Sequence, residues 1–210
     1  MSTGGRVLIV FGLAGSGKST LVARLALEFG LRKVHPSGVM RDLLAGRQVR
    51  PEASLANDGY WESAEGAQIL DARLDHQEPV DLEADRILLS EVAKGEVAID
   101  SWSLPWLTDK GLRIHLTAPL EVRSRRAAAR GHLDLQTARE RIAKKDEDTR
   151  QLFLRLYGFD IARPAPDLFD LTLDTATLSS EEVFFQARAF VADRWSAGKD
   201  FGGSEEDVLS

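Results

Sequence analysis

The chain contains no cysteine. Disulfides and cysteine-bound metals are therefore excluded. It also lacks a long apolar run, and its first hydrophobic segment, Val7 to Phe11, is far too short to cross a bilayer. The N-terminus shows no basic-then-apolar leader pattern, so the sequence predicts a cytoplasmic protein with no membrane partner. An excess of positive charge is missing too: 27 Lys and Arg face 33 Asp and Glu, a formal net charge of −6. A general nucleic-acid binder needs a basic surface to displace counterions, so no nucleic-acid partner is expected. No internal repeat is present. What remains is ordinary for one soluble α/β domain carrying an insertion, with 210 residues, 43% hydrophobic and 29% charged.

Short apolar runs alternate with longer helical patterns. Strands are expected at 6–11, 32–36, 96–100, 112–116 and 168–175. Helices are expected at 19–30, 83–95, 118–130, 135–158 and 179–195, the last with serine caps and early acids. Strands that alternate with helices imply a parallel sheet covered on both faces, a three-layer α/β fold. Residues 196–210 are rich in Gly, Ser and acids with little to bury, so a disordered tail is expected after one domain spanning 1–195.

One motif is complete. Gly12-Leu13-Ala14-Gly15-Ser16-Gly17-Lys18-Ser19 fits G-x-x-x-x-G-K-[ST], and it follows a strand and opens a helix as that motif requires. The glycines let successive backbone N–H groups turn inward toward phosphate oxygens. The helix adds the positive end of its dipole. Lys18 supplies charge for the β- and γ-phosphates, and the Ser19 hydroxyl can ligate Mg²⁺, with Thr20 next to it. This is the phosphate loop of the P-loop NTPase fold; it implies a bound nucleoside triphosphate, with ATP and Mg²⁺ the expected cofactors, although no adenine-versus-guanine signature is present. Asp100 ends the apolar strand EVAID. Ligands in open α/β sheets lie beyond the carboxyl ends of strands, so Asp100 is the candidate second metal acid and can also steer an acceptor. Arg123, Arg126 and Arg130 share the helix that follows the fourth strand. Arg126 and Arg130, four apart, lie on one face and can neutralise charge during transfer.

With those residues in place, the chain resembles the nucleoside monophosphate kinases of the P-loop class, and among them the cytidylate kinases of the archaeal type. The likeness runs over about residues 6–190. It rests on the phosphate loop, on Arg41 in VMRDLL, and on the spacing of Asp81 and Asp85 before KGEVAIDSWSLPW. It also rests on APLEVRSRRAAAR and on YGFDI followed by FDLTLDT. The resemblance implies an ATP-dependent kinase in three parts. A core comprises 1–37, 91–127 and 151–195. An insertion at about 38–90 embraces the acceptor. A lid at about 128–150 closes over the triphosphate. It further implies that Arg41 grips the acceptor's phosphate, that Arg126 lies near the ATP base, and that Arg130 reaches the phosphates.

The chain also departs from that pattern. Gly-Arg usually follows the strand acid, and here Ser101-Trp102 stands there. The run before Arg41 is His35-Pro36-Ser37-Gly38-Val39, without the usual aspartate. A lid arginine position holds Lys145, with Arg150 near enough to substitute. The donor half is thus intact and the acceptor half altered. His35, Trp61 and Trp102 are the candidate acceptor contacts beside Arg41. Tyr60, Asp58, Glu62, Asp75 and His76 lie in the same insertion, and Trp106 is expected in the core. The acceptor is expected to be a nucleoside monophosphate such as CMP or dCMP. A hydroxyl-bearing small molecule, with Asp100 as base, and an ATP-gated binding protein remain open on the sequence. A monomer and a homodimer both fit.

Overall fold

The computed structural model describes residues 5–52 and 80–197. Five strands form one sheet: β1 (Val7–Phe11), β2 (Arg32–Val34), β3 (Val97–Asp100), β4 (Leu112–Thr117) and β5 (Leu171–Asp174). Their order is β2-β3-β1-β4-β5, and every pairing is parallel. Seven α-helices are described: α1 (Lys18–Phe29), α2 (Pro36–Leu44), α3 (Val80–Lys94), α4 (Leu104–Leu107), α5 (Leu120–Gly131), α6 (Leu135–Tyr157) and α7 (Ser180–Ser196). The three-layer α/β architecture expected from the sequence is the one observed.

β1 is buried along its whole length because both faces of the sheet are covered. Leu8 and Val10 face a core built with Leu21, Val22 and Leu25 of α1 and with Val183, Ala187 and Val191 of α7. Val7 and Ile9 face the opposite core, with Val39 of α2 and Ala84, Leu88 and Val92 of α3. Each such side chain removed from water contributes about 1.5–3 kcal/mol. The register sets Val10 of β1 beside Asp100 of β3 and Phe11 beside His115 of β4. The chemistry-bearing strand ends therefore share one edge of the sheet.

The boundaries differ from the sequence reading in a few places. α2 was not anticipated, although Pro36 at its first turn is a helix-start signal, preset in φ and lacking an N–H that would go unused. β5 is shorter than 168–175, because a 3₁₀ turn at Pro166–Leu168 and the backbone bond from Asp170 N to the Arg113 carbonyl precede it. α7 starts at a full capping box: the Ser179 hydroxyl accepts from Glu182 N, and the Glu182 carboxylate accepts from Ser179 N. α5 and α6 form an antiparallel hairpin closed by small residues, with Ala127 and Ala138 fully buried and Asp134 capping α6. Trp106 lies in an aromatic cluster, 5.2 Å from the Phe11 ring and stacked at 4.5 Å on Phe159. No helix among the described residues is long and apolar enough to cross a membrane. The expected tail beyond Ala197, and Asp58, Tyr60, Trp61, Glu62, Asp75 and His76, lie outside the described residues.

Candidate active site

The turn from β1 into α1 is dictated by space. A Cβ at Gly12 would sit 2.5 Å from the Leu116 carbonyl oxygen and 2.5 Å from Ser16 Oγ. Gly15 adopts φ +80°, and a Cβ there would meet the Arg123 carbonyl oxygen at 2.8 Å. Only glycine fits either position. α1 begins at Lys18, directly after Gly17, with no acid in its first turn. Its positive N-terminal end is thus left open at the loop. Ser16 Oγ is buried there without a hydrogen-bond partner among the described residues.

Lys18, Ser19 and Asp100 converge. Ser19 Oγ donates to Asp100 Oδ2 at 2.8 Å, joining the start of α1 to the end of β3. Lys18 Nζ donates to the Leu13 carbonyl at 3.1 Å. Lys18 is only half-buried as a residue, yet burial of its ammonium lowers its pKa to about 8; the attraction of Asp100 and Asp146 opposes that shift without cancelling it. Burial pushes Asp100 the other way, above the usual carboxylate range, against the pull of Lys18, the Ser19 hydrogen bond and His35. His35 is buried at the carboxyl end of β2 and is close enough to act on Asp100, as its position in the sheet implied.

The loop is clamped from behind by residues of the α5–α6 hairpin. Arg123 is buried; its guanidinium donates to the Ala14 carbonyl at 2.9 Å, the Ala118 carbonyl at 3.0 Å and Asp146 Oδ2 at 2.6 Å. Asp146 Oδ1 accepts from Ala14 N at 3.1 Å. Arg126 donates to Thr175 Oγ1 and to the Thr175 carbonyl, and Thr175 Oγ1 lies 3.2 Å from the Ser16 carbonyl. Arg130 is exposed on the same helix, within electrostatic reach of Lys18. Arg150 is instead held in a forked pair by Asp160, at 2.8 and 2.9 Å. Lys145 of α6 lies 5.6 Å from the centre of the Trp102 ring.

Arg41 stands on α2, which packs against α3 beyond the end of β2. Asp85 of α3 is buried; it accepts from Ser103 Oγ and from Tyr157 OH, each at 2.5 Å. That network ties α3 and the end of α6 to the segment just after Asp100. Asp146, Thr175 and Tyr157 were not anticipated as parts of the site.

These residues fit the groups that the phosphate loop implies. The loop has glycines where a Cβ would collide, an inward-facing buried hydroxyl and a lysine. Ser19 and Asp100 offer hard oxygens 2.8 Å apart. Among the described residues no three His, Cys, Asp or Glu gather into a metal cluster. Mg²⁺ needs no such cage, because one or two oxygen side chains suffice when phosphates and water complete its shell.

The model of the cytidylate kinase-like family matches residues 8–177. The chain belongs to that family. It is similar to the cytidylate kinase of Ignicoccus hospitalis, 32% identical over 84% of this chain and 94% of that one. It is similar also to the cytidylate kinase of Pyrococcus horikoshii, 31% identical over 95% of each chain, and to that of Pyrococcus furiosus, 30% identical over 98% of each. The same fold occurs in an uncharacterised protein from Eubacterium ventriosum (TM-score 0.54, 9% identity, covering 90% of this chain and 99% of that one). It occurs too in shikimate kinase from Bacteroides thetaiotaomicron (TM-score 0.50, 14% identity, covering 91% and 97%). As a member of this family, the chain is an ATP-dependent kinase that works with Mg²⁺.

Proposed function

We propose that this kinase transfers the γ-phosphoryl group of MgATP to a nucleoside monophosphate, with CMP or dCMP the first candidate acceptor. Two lines of support meet. The likeness to proteins named cytidylate kinase extends over nearly the whole chain. The observation in this structure that carries the reading is the 2.8 Å contact of Ser19 with Asp100 at the mouth of the phosphate loop.

In this reading the loop N–H groups from Ala14 to Thr20 and the Lys18 ammonium bind the triphosphate. Ser19 and Asp100 would hold Mg²⁺, which would supply charge withdrawal from the phosphates. Arg126 steadies the nucleoside end of ATP, and Arg130 extends toward the phosphates. Arg41 grips the acceptor's phosphate, with His35 and Trp61 as further acceptor contacts. An acceptor phosphate oxygen attacks the γ-phosphorus in line. The new O–P bond forms as the bond to the β–γ bridging oxygen breaks, and ADP leaves. The attacking oxygen is already ionised, so no strong base is needed, and Asp100 serves as a metal ligand. The insertion at about 38–90 and the hairpin at about 128–150 act as flaps that keep water from the γ-phosphate.

ADP release from MgATP, measured alone and then with each nucleoside and deoxynucleoside monophosphate and a set of hydroxyl compounds, tests this. A strong rise with a pyrimidine monophosphate is expected. A rise confined to a hydroxyl compound would overturn the acceptor assignment and leave the donor site standing.

A further inference from the structure

Trp102 lies two residues after Asp100, on the segment that leaves β3. Its ring is partly buried and packs against two apolar groups at once. One contains Phe11, Leu152 and Phe153. The other contains Ala14 of the phosphate loop together with Ala127, Ala138 and Ile142 of the hairpin. The indole therefore bridges the phosphate loop and the lid helices. Two ammonium groups lie over it: Lys18 Nζ at 5.4 Å and Lys145 Nζ at 5.6 Å from the ring centre. Both distances are within the range in which the ring quadrupole attracts a cation.

We propose that Trp102 is a positioning residue of the donor site, a neutral platform that presents Lys18 of the phosphate loop and Lys145 of the lid to the triphosphate. The inference rests on the kinase reading and is independent of which acceptor is used.

The physical reason for an aromatic ring here is the charge already present. Asp100 and Asp146 attract Lys18, and Arg123 and Arg130 repel it more weakly. A further carboxylate could order the two lysines, but it would add to those that already compete with phosphate for them. A π face attracts an ammonium without discharging it and carries no anion for the triphosphate to displace. The ring is itself fixed by packing, so each flexible lysine stem is ordered before nucleotide arrives. Preorganisation of that kind raises affinity by reducing what binding must still order. The same packing makes the platform depend on the hairpin lying against the loop, so Lys145 is presented when α5 and α6 are in place.

The reading also changes the role expected of Trp102 from the sequence. A ring that already carries two ammoniums is a poor stacking surface for an acceptor base, and its effect should fall on MgATP.

The test is calorimetric binding of MgATP to the full chain and to Trp102→Phe, Trp102→Leu, Lys145→Met and Trp102→Leu/Lys145→Met, with the acceptor KM measured alongside. Trp102→Phe keeps a π face and should stay within about threefold of the parent. Lys145→Met should weaken MgATP about tenfold, the order expected for losing one ordered cation, and Trp102→Leu, which releases Lys18 as well, by at least as much. The double variant should be little worse than Trp102→Leu, because the Lys145 contact is already lost there. The acceptor KM should not move. Additive losses in the double variant would overturn the proposal. So would a raised acceptor KM with unchanged MgATP affinity in Trp102→Leu, which would return Trp102 to the acceptor. If Trp102→Leu fails to fold, Trp102→Phe and Lys145→Met still decide, since unchanged MgATP affinity in Lys145→Met refutes the platform. A parent chain that binds no MgATP would overturn the kinase reading itself, and this proposal with it.

Discussion

Replacing Asp146 with alanine should expose how the phosphate loop is braced. The Arg123–Asp146 pair is nearly dry, with side chains 7% and 13% exposed and N–O contact at 2.6 Å. Removing the carboxylate leaves the guanidinium buried with two carbonyls as partners, and it takes the acceptor from Ala14 N–H. Breaking one side of a buried pair costs about 3–5 kcal/mol, and the two surviving carbonyl bonds favour the lower end. At about 3 kcal/mol, and about 2–4 °C per kcal/mol for a chain of this size, the melting temperature should fall by about 6–12 °C. Thermal unfolding followed by circular dichroism, without nucleotide, measures this. The double replacement Arg123→Met/Asp146→Leu should recover at least half of the loss, because the stranded charge is gone and apolar volume fills its place. A fall of less than about 2 °C in Asp146→Ala, or a double variant less stable than the single one, would refute the reasoning.

Three other outcomes follow from the same geometry. Lys18 titrates at about 8 in place of its ordinary 10.5, so kcat/KM for ATP should fall as pH rises through about 8; Lys18→Ala should abolish turnover, and a flat alkaline limb would contradict the shift. Its effect on stability has the opposite sense: the unfolded chain keeps the proton to higher pH, so this lysine's contribution to stability rises between about 8 and 10.5. Gly15→Ala should lose MgATP binding and about 1–3 kcal/mol of stability from strain at φ +80° and the 2.8 Å approach to the Arg123 carbonyl; wild-type affinity in a calorimetric titration would show that the loop adapts. Ser179→Ala breaks the α7 capping box and should cost about 0.5–2 kcal/mol in denaturant unfolding while leaving kcat unchanged, since α7 packs on α1 and β5 and carries none of the site residues.

The donor half was legible because its chemistry is consecutive. Eight adjacent residues carry the loop, and periodicity set β1 before it and α1 after it. The position of Asp100 followed from a general rule about strand ends, and its contact with Ser19 agrees with that rule. The braces of the loop were not legible. Asp146 is 132 residues from Ala14 and 23 from Arg123, and Thr175 is 159 from Ser16. No periodicity or spacing joins such positions, and only the fold brings them together, Asp146 through the hairpin and Thr175 through the end of β5. Lys145 and Arg150 show the same limit. Both are cations on α6, and in sequence Arg150 stood near enough to substitute for a missing arginine. Asp160, ten residues on, holds it in a forked pair, while Lys145 reaches the Trp102 ring. Asp85 entered the sequence reading only by its spacing with Asp81 before KGEVAIDSWSLPW, with no role of its own. Its partners Ser103 and Tyr157 come from two other elements and turn it into a buried junction.

The opposed shifts of Lys18 and Asp100 say what this junction is arranged to receive. Burial discourages charge on both groups, and their mutual attraction does not restore it. Such a pair adds little to the fold by itself. It is well placed to take up outside charge: phosphate oxygens against Lys18 favour its proton, and a divalent cation on Ser19 and Asp100 favours the ionised carboxylate. Each gain belongs to the folded chain alone, so it appears as added stability through mass action. MgATP should therefore raise the melting temperature more than the same concentration of ATP with a chelator, and Asp100→Asn should remove most of that difference while leaving the effect of ATP alone. Differential scanning fluorimetry of both proteins under the two conditions separates the terms. An equal rise with and without the metal in the parent chain would mean that Ser19 and Asp100 hold each other and no metal, and the donor site would have to be rebuilt around Lys18 and the loop.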